Sequence, residues 1–324
     1  MKLIIQIPCY NESETLHLAL AALPRQVEGF DSVEWLVIDD GSMDNTVDVA
    51  RQCGVDHIVS HTINMGLAKA FMTGLDACLK MGADVIVNTD ADNQYDAACI
   101  PDLVAPILER RADLVIGARP VGEIEDFSPL KKKLQKLGSW VVRKASRTDI
   151  PDAPSGFRAL SREAALRTNV FNNYTYTLET IIQAGQRKMA ICSVPVRVNG
   201  FLRPSRLMKS TLSYIKRSII TIFRIFMLYR PAFFLGTLSL LFFVPGFAFG
   251  VRFLYFLAIG EGDGHVQSVV LTSLLIMLGV IVAAIAVISD LLAVNRMQLE
   301  EVQYLLRKAD IQKIEETRAF VKDE

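Results

Sequence analysis

Two apolar stretches near the end of the chain restrict its fold more than any other feature. PAFFLGTLSLLFFVPGFAFGVRFLYFLAIG occupies 231–260 and SVVLTSLLIMLGVIVAAIAVISDLLAV occupies 268–294. Each exceeds the roughly 20 apolar residues that a helix needs to cross a bilayer and the usual length of a helix in a soluble core. Hydrocarbon offers the backbone no water, so such a stretch satisfies its own peptide groups by being helical. Pro245 and Gly246 could kink the first span, and Arg252 can snorkel toward the nearer surface. The connector EGDGHVQ (261–267) has no Lys or Arg, whereas basic residues crowd before the first span and after the second. The positive-inside rule then puts both ends in the cytoplasm of a multi-pass protein of the inner (plasma) membrane. Ahead of the spans, RLMKSTLSYIKRSIITIFRIFMLY (206–229) interleaves basic and apolar residues as a helix lying in the membrane interface would. After them, 295–324 reads as an amphipathic helix, either paired with another subunit or solvated.

The 324 residues carry 35 basic and 35 acidic side chains, and the mean hydropathy of +0.29 averages a soluble part with a membrane part. No nucleic-acid partner is expected. Cys9, Cys53, Cys78, Cys99 and Cys192 are odd in number and form no CxxC, which argues against a disulfide framework or a zinc site. MKLIIQIPCYNE has one lysine and an apolar run too short for a signal sequence, so it reads as a first strand. Strand signals at 3–7, 33–39, 57–61, 83–90 and 112–119 alternate with helix signals at 13–23, 43–54, 67–82 and about 97–110. Ser13 is a plausible cap for the first helix. This alternation predicts a parallel sheet with helices on both faces, and ligands in such sheets bind beyond the carboxyl ends of strands. Further on, 130–147 reads as a basic helix, 152–165 as a turn leading into a helix, 173–189 as a helix and 190–198 as a strand.

The polar clusters PCYNE, DDGS, TDADNQ and GAR all fall at strand ends. Asp90-Ala91-Asp92 sets two carboxylates on one side of an extended segment, and Gln94 adds another oxygen. Such a row is costly without a cation. Mg²⁺ or Mn²⁺ held by Asp90, Asp92 and Gln94 would neutralise a diphosphate and improve it as a leaving group. At the first strand end, Pro8, Tyr10, Asn11 and Glu12 can form a rigid turn, with Tyr10 a face for a base and Glu12 an acceptor. Asp39 and Asp40, before Gly41 and Ser42, offer carboxylates for ring N–H groups or ribose hydroxyls; DDGS equally suits a turn and a helix cap. Asn64, with Lys69 one helical turn in, could hold a hydroxyl or phosphate, or serve only at a cap.

In this order, PCYNE, VIDDGSMDNT, NMGLAKA, NTDADNQ, GAR and SGFRALSR resemble the family-2 glycosyltransferases, and more narrowly the group that transfers sugars to polyprenyl phosphates. The likeness spans roughly 1–205. It implies a GT-A type, Rossmann-like α/β domain that binds a nucleotide-sugar (UDP- or GDP-linked), followed by interfacial helices and a two-helix transmembrane hairpin. It also implies inverting transfer, a metal at Asp92 and Gln94 with Asp90 near the sugar–nucleotide, and nucleotide contacts from Pro8, Tyr10, Glu12 and Asp39. The family pattern of arginine, glycine, serine and lysine is altered here to NGFLRPSRLMKS. Arg197 or Arg203 could be the leading arginine, Ser205-Arg206 could replace Ser-Lys, and Arg203, Arg206 and Lys209 are candidate donor contacts.

The chain order of nucleotide site, interfacial basic helix and anchor suits an acceptor phosphate held at the bilayer surface by a polyprenyl tail. Arg119, Lys132, Lys133 and Arg158 are candidates to hold that phosphate; the lysines also suit attraction to anionic lipid. Because the acceptor is already anionic, Glu179 is expected to orient the sugar rather than act as a base. Two alternatives are a processive polysaccharide synthase and an inactive nucleotide-sensing scaffold; the first would want a QxxRW motif, absent after Gln183. Gly236, Gly246, Gly250 and Gly279 would permit close helix contacts between subunits of a homo-oligomer.

Overall fold

The computed structural model describes residues 1–120, 138–140, 142–143, 146, 148–170, 176–200, 220, 223–224, 227 and 229–322. They form two compact units, Met1–Ser218 with Glu300–Glu324, and Ile219–Leu299.

The first unit is built on a seven-stranded sheet. Its strands are β1 (Lys2–Cys9), β2 (Ser32–Asp39), β3 (His57–Ser60), β4 (Val85–Asn88), β5 (Leu114–Ala118), β6 (Arg158–Ser161) and β7 (Ile191–Pro195), in the order β3-β2-β1-β4-β6-β5-β7. β1 is an interior strand between β2 and β4, and Leu3, Ile4, Ile5 and Ile7 have no exposed surface. A strand covered on both faces gains from every apolar side chain, roughly 1.5–3 kcal/mol each as an upper bound, so its sequence after Lys2 is an apolar run broken only by Gln6, which is hydrogen-bonded to Asn88. Helices α1 (Leu16–Ala22), α2 (Thr46–Gln52), α3 (Leu67–Lys80), α4 (Ile100–Leu108), α5 (Arg162–Arg167) and α6 (Thr177–Gln186) complete the domain. α3 lies very close to the sheet. A Cβ at Gly74 would stand 2.4 Å from Gln6 Oε1 and 2.8 Å from Ile38 Cδ1.

Three expectations change. The sheet is mixed, because β6 runs antiparallel to both β4 and β5. β6 is hidden in RALS, a four-residue segment with a buried arginine at its first position, which carries no strand-like hydrophobic signal. The first helix starts at Leu16, and the residue before it, Thr15, makes no side-chain cap. Its hydroxyl donates instead to Glu12 Oε2 at 2.9 Å, so Ser13 is not the cap.

The last helix is continuous. α7 (Pro231–Ala258) is followed by α8, which runs from Val266 to Lys322 and includes the stretch expected to be a separate tail helix. Within the first unit, the end of α8 packs on the sheet domain. Glu300 pairs with Arg187 at 3.0 Å, and Arg307 pairs with Asp76 at 3.1 Å. Arg307 Nη1 also donates to the carbonyls of Leu166 and Thr168, at 3.2 and 2.9 Å, where α5 ends. A cation suits that helix C-terminus. Tyr304 and Ile311 are buried, so this face is covered by the chain itself.

In the second unit, α7 and the first part of α8 are long and apolar enough to cross a membrane, with mean hydropathy of 2.0 and 2.8 over their most apolar windows. Small residues bring the pair together. Ser239 Oγ donates to Gly279 O at 2.9 Å, and Cβ atoms at Gly246 and Gly279 would stand 3.0 Å from Leu275 and Phe243. Gly250 faces Thr272, while Gly236 faces open space. Three of the four glycines expected between subunits are therefore used within the chain. Phe233, Leu241, Phe247, Met277 and Leu291 point outward, each more than half exposed.

Candidate active site

The ends of β1 and β2 are tied to each other. Asn11 takes a left-handed backbone, φ 54°, which costs a non-glycine residue about 1 kcal/mol. Its N–H donates to Ser42 Oγ at 2.9 Å, and its Oδ1 accepts from Met43 N at 2.8 Å. Glu12 N donates to Thr46 Oγ1, and Ser13 N to Asp44, at 2.9 and 3.1 Å. Burial raises the Asp44 carboxyl, but hydrogen bonds from Thr46 and Ser13 together outweigh it and hold the group down to about 2. Asp39 is buried and accepts from Ser42 N at 3.1 Å, while Tyr10, which follows the β1 register partner of Asp39, Cys9, is 40% exposed.

Asp40 is fully engaged. Its Oδ1 meets His61 Nδ1 at 2.7 Å and accepts from Met65 N at 2.9 Å, while Oδ2 accepts from Gly66 N at 2.8 Å. His61 Nε2 meets Thr73 Oγ1 at 3.0 Å. The carboxylate thus fastens the 61–66 loop, which carries the exposed Asn64 and leads to Lys69 on α3. Gly41, at φ 72°, lies under that loop, and a Cβ there would come within 2.6 Å of the Ile63 backbone.

The end of β4 is different. Asp90 and Asp92 are half-buried and flank the buried Ala91. Gln94 N donates to Asp92 Oδ1 at 3.1 Å. No hydrogen bond reaches the Asp90 carboxylate among the described residues. Burial above all, then the neighbouring Asp92, push the Asp90 carboxyl up to about 7, with Arg119 and Arg158 pulling the other way. The turn before β6 presses on it: a Cβ at Gly156 would stand 3.0 Å from both Asp90 Oδ2 and Tyr176 Oη. The glycine of SGFR is therefore required by the carboxylate it faces. Behind it runs a buried polar chain. Gln6 Nε2 donates to Asn88 Oδ1 at 2.9 Å, and Asn88 Nδ2 donates to Gly156 O and Tyr176 Oη, both at 2.9 Å.

The third acid of the row, Asp96, is structural. It caps the short 3₁₀ turn Ala97–Cys99 by accepting from Ala98 N at 2.9 Å, and it pairs with Arg197 Nε at 2.7 Å. Arg119, at the end of β5, is held by Asp152 through Nε at 2.7 Å and Nη2 at 3.1 Å. The two side chains are 8% and 2% exposed. Burial opposes the Arg119 charge, but Tyr95, Asp152 and Asp90 more than offset it.

Arg158 is completely buried opposite Asn88 in the β4–β6 ladder. Its guanidinium donates to Thr177 O at 3.3 Å, and to Thr180 Oγ1 and Ser155 O. Glu179 is buried on α6. Lys132, Lys133, Arg203, Arg206 and Lys209 lie outside the described residues.

The sequence did not single out Asp152, Tyr95, Asn88, Gly156 or Tyr176. Gly156 and Asp152 sit in DAPSG, which reads as an ordinary turn. Tyr95 is enclosed in a polar run, although its Oη accepts from Gly156 N at 3.0 Å. Asn88 and Tyr176 have no local signal.

Among the described residues, no group of three or more His, Cys, Asp or Glu side chains could hold a metal ion. The charge crowding at Asp90 nonetheless fits a cation.

The family model Glycosyl transferase family 2 matches residues 4–167. Undecaprenyl-phosphate mannosyltransferase of Micrococcus luteus is 34% identical over 165 residues, which is 49% of this chain and 66% of that protein. Polyprenol monophosphomannose synthase of Mycolicibacterium smegmatis is 28% identical over 204 residues, 60% of this chain and 76% of that one. Among solved structures, glucosyl-3-phosphoglycerate synthase from Mycobacterium tuberculosis with Mn²⁺ and UDP-glucose superimposes with a TM-score of 0.54 at 22% identity, covering 69% of this chain and 78% of that one. That likeness shows the fold, which is of the GT-A type.

Proposed function

This chain belongs to glycosyl transferase family 2, and from that premise we propose that it transfers a single sugar, with inversion, from a UDP- or GDP-sugar to a polyprenyl phosphate at the cytoplasmic face of a membrane. The observation that carries this reading is the Asp90–Asp92 pair at the end of β4, with no hydrogen bond spent on Asp90 among the described residues, in a chain with two helices apolar enough to cross a bilayer. The relatives named undecaprenyl-phosphate mannosyltransferase and polyprenol monophosphomannose synthase support the acceptor class.

Tyr10, Glu12 and Asp39 would bind the nucleotide on loops stiffened by the β1–β2 ties. Asp92 and Gln94, with Asp90 alongside, would hold Mg²⁺ or Mn²⁺, which when bound neutralises the diphosphate and eases its departure. The acceptor phosphate attacks the anomeric carbon, a new carbon–oxygen bond forms, and the bond to the nucleoside diphosphate breaks. A phosphate anion needs no base, so the chain's task is to align it and screen its charge. Arg119, fixed in place by Asp152, is the described cation best prepared for this. Glu179 would orient the sugar. Arg158 is buried, with Nη1 and Nη2 donating to carbonyl and hydroxyl oxygens and Nε without a partner among the described residues, so it would act through the turn it braces.

Purified full-length protein would be mixed with labelled nucleotide-sugars, undecaprenyl phosphate and Mn²⁺, then extracted with organic solvent. The reading expects label in the lipid phase, lost in chelator. Absence of lipid-linked label with every donor, or unchanged turnover in chelator, would overturn it.

A further inference from the structure

A short segment after β7 grips the loop that carries Asp92 and Gln94. Asn199 N donates to Gln94 O at 2.8 Å, and Asn199 Nδ2 donates to Asn93 O at 2.9 Å. A weaker third contact runs from Nδ2 to Tyr95 O at 3.5 Å. Val198 bridges Tyr95 in antiparallel fashion. Asp96 N donates to Arg197 O at 3.2 Å, and the Asp96 carboxylate returns the tie by pairing with Arg197 Nε at 2.7 Å. The segment itself is anchored on the sheet, since Val196 N donates to Ala118 O at 3.0 Å, next to Arg119.

The gripped loop needs holding. Asn93 has a left-handed backbone, φ 55°, which leaves a polar loop free to relax unless its carbonyls are claimed. Gln94 is pinned at both peptide groups, its N–H by Asp92 Oδ1 and its C=O by Asn199 N. The Asn199 side chain claims the carbonyl just before Gln94. This also accounts for Asp96, an acid in the row that serves as the latch's anchor.

We propose that Asn199 is a positioning residue: with the Arg197–Asp96 pair, it latches residues 93–96 so that the Asp92 and Gln94 oxygens converge on one cation. The inference deepens the proposed metal site and rests on that reading for the ion, but the latch itself is tested without metal. Asn199 is exposed, so changing it spares the core.

The experiment compares full-length wild type with Asn199→Ala and Asn199→Asp, and with Glu109→Gln as an exposed control. Amide hydrogen exchange is read over 92–96 without metal, and Mn²⁺ affinity is read by paramagnetic resonance in the presence of UDP. Both variants should exchange faster over 92–96 with an unchanged melting temperature, and should bind Mn²⁺ about tenfold more weakly, as when an outer partner of a metal ligand is lost. Asn199→Asp should show the larger change, because its carboxylate repels the Asn93 carbonyl. Unchanged exchange would overturn the latch. Faster exchange with unchanged Mn²⁺ affinity would overturn its positioning role. Chelator-insensitive turnover, by contrast, would overturn the proposed metal site and leave the exchange result standing.

Discussion

The chain places a pair of aspartates at the ends of β2 and β4, the strands on either side of β1, and fills their acceptors unequally. At the end of β2, Asp40 is filled by His61 and two backbone N–H groups, while the buried Asp39 accepts from Ser42 N. At the end of β4, Asp92 accepts one loop N–H and Asp90 none among the described residues, and the two repel each other. A buried carboxylate with all its acceptors filled is a structural fastener. One left underused, against a like charge, stores an electrostatic demand that a cation can meet. The difference lies in what the neighbouring loops supply: the 61–66 loop turns N–H groups inward, whereas the turn at Gly156 brings only a close-packed glycine.

The largest effect should come from Asp152, the acid that holds Arg119 in place beside that pair. Asp152→Asn leaves a buried guanidinium without its carboxylate, which costs about 3–5 kcal/mol; chemical denaturation would show it. If stability held, Asp152 would not be what fixes Arg119, and the contrast would weaken. Next, Asp92→Asn should lower kcat about 100-fold or more with a melting temperature unchanged or raised, because relief of repulsion offsets the lost N–H contact. Asp40→Asn should reverse that pattern, costing about 2 kcal/mol of stability with less than tenfold effect on kcat. Were Asp40→Asn the more damaging to turnover, the two pairs would not have separate roles.

Smaller effects appear in the pH dependence. The Asp90 carboxyl is raised in the folded state to about 7. Its contribution to stability is therefore fully present below the unfolded carboxyl range near pH 4 and is lost as pH rises through about 7. Melting temperatures of wild type and Asp90→Asn, compared between those limits, should diverge in that window. Asp44 lies on the other side of the comparison, held down to about 2. Its contribution is present above the unfolded range and lost as pH falls through about 2. Asp44 is exposed, so Asp44→Asn should cost only about a few tenths of a kcal/mol near neutrality.

Much of the architecture was legible because it depends on local pattern. β1 is buried on both faces and after Lys2 is accordingly apolar except for Gln6, which is hydrogen-bonded to Asn88; α3 has helical spacing and ends at Lys80, just before Gly82; the two membrane-length helices follow from composition. β6 was not legible, since its first residue is an arginine whose burial depends on Ser155, Thr177 and Thr180. The site divided in the same way. Asp90, Asp92 and Gln94 stood out through their own spacing, whereas Asp152 became visible only once Arg119 reached it across 33 residues of chain.

Sequence alone determined that an α/β domain precedes two apolar helices, and that acidic side chains gather where strands end, because hydrophobic period and charge are properties of neighbouring residues. Tertiary structure alone decided which aspartates are consumed and which are left available. It also turned the end of the last helix onto the sheet domain through Glu300, Tyr304 and Arg307. The physical reason is that a carboxylate's role depends on the donors within about 3 Å of it, and those come from loops far away along the chain.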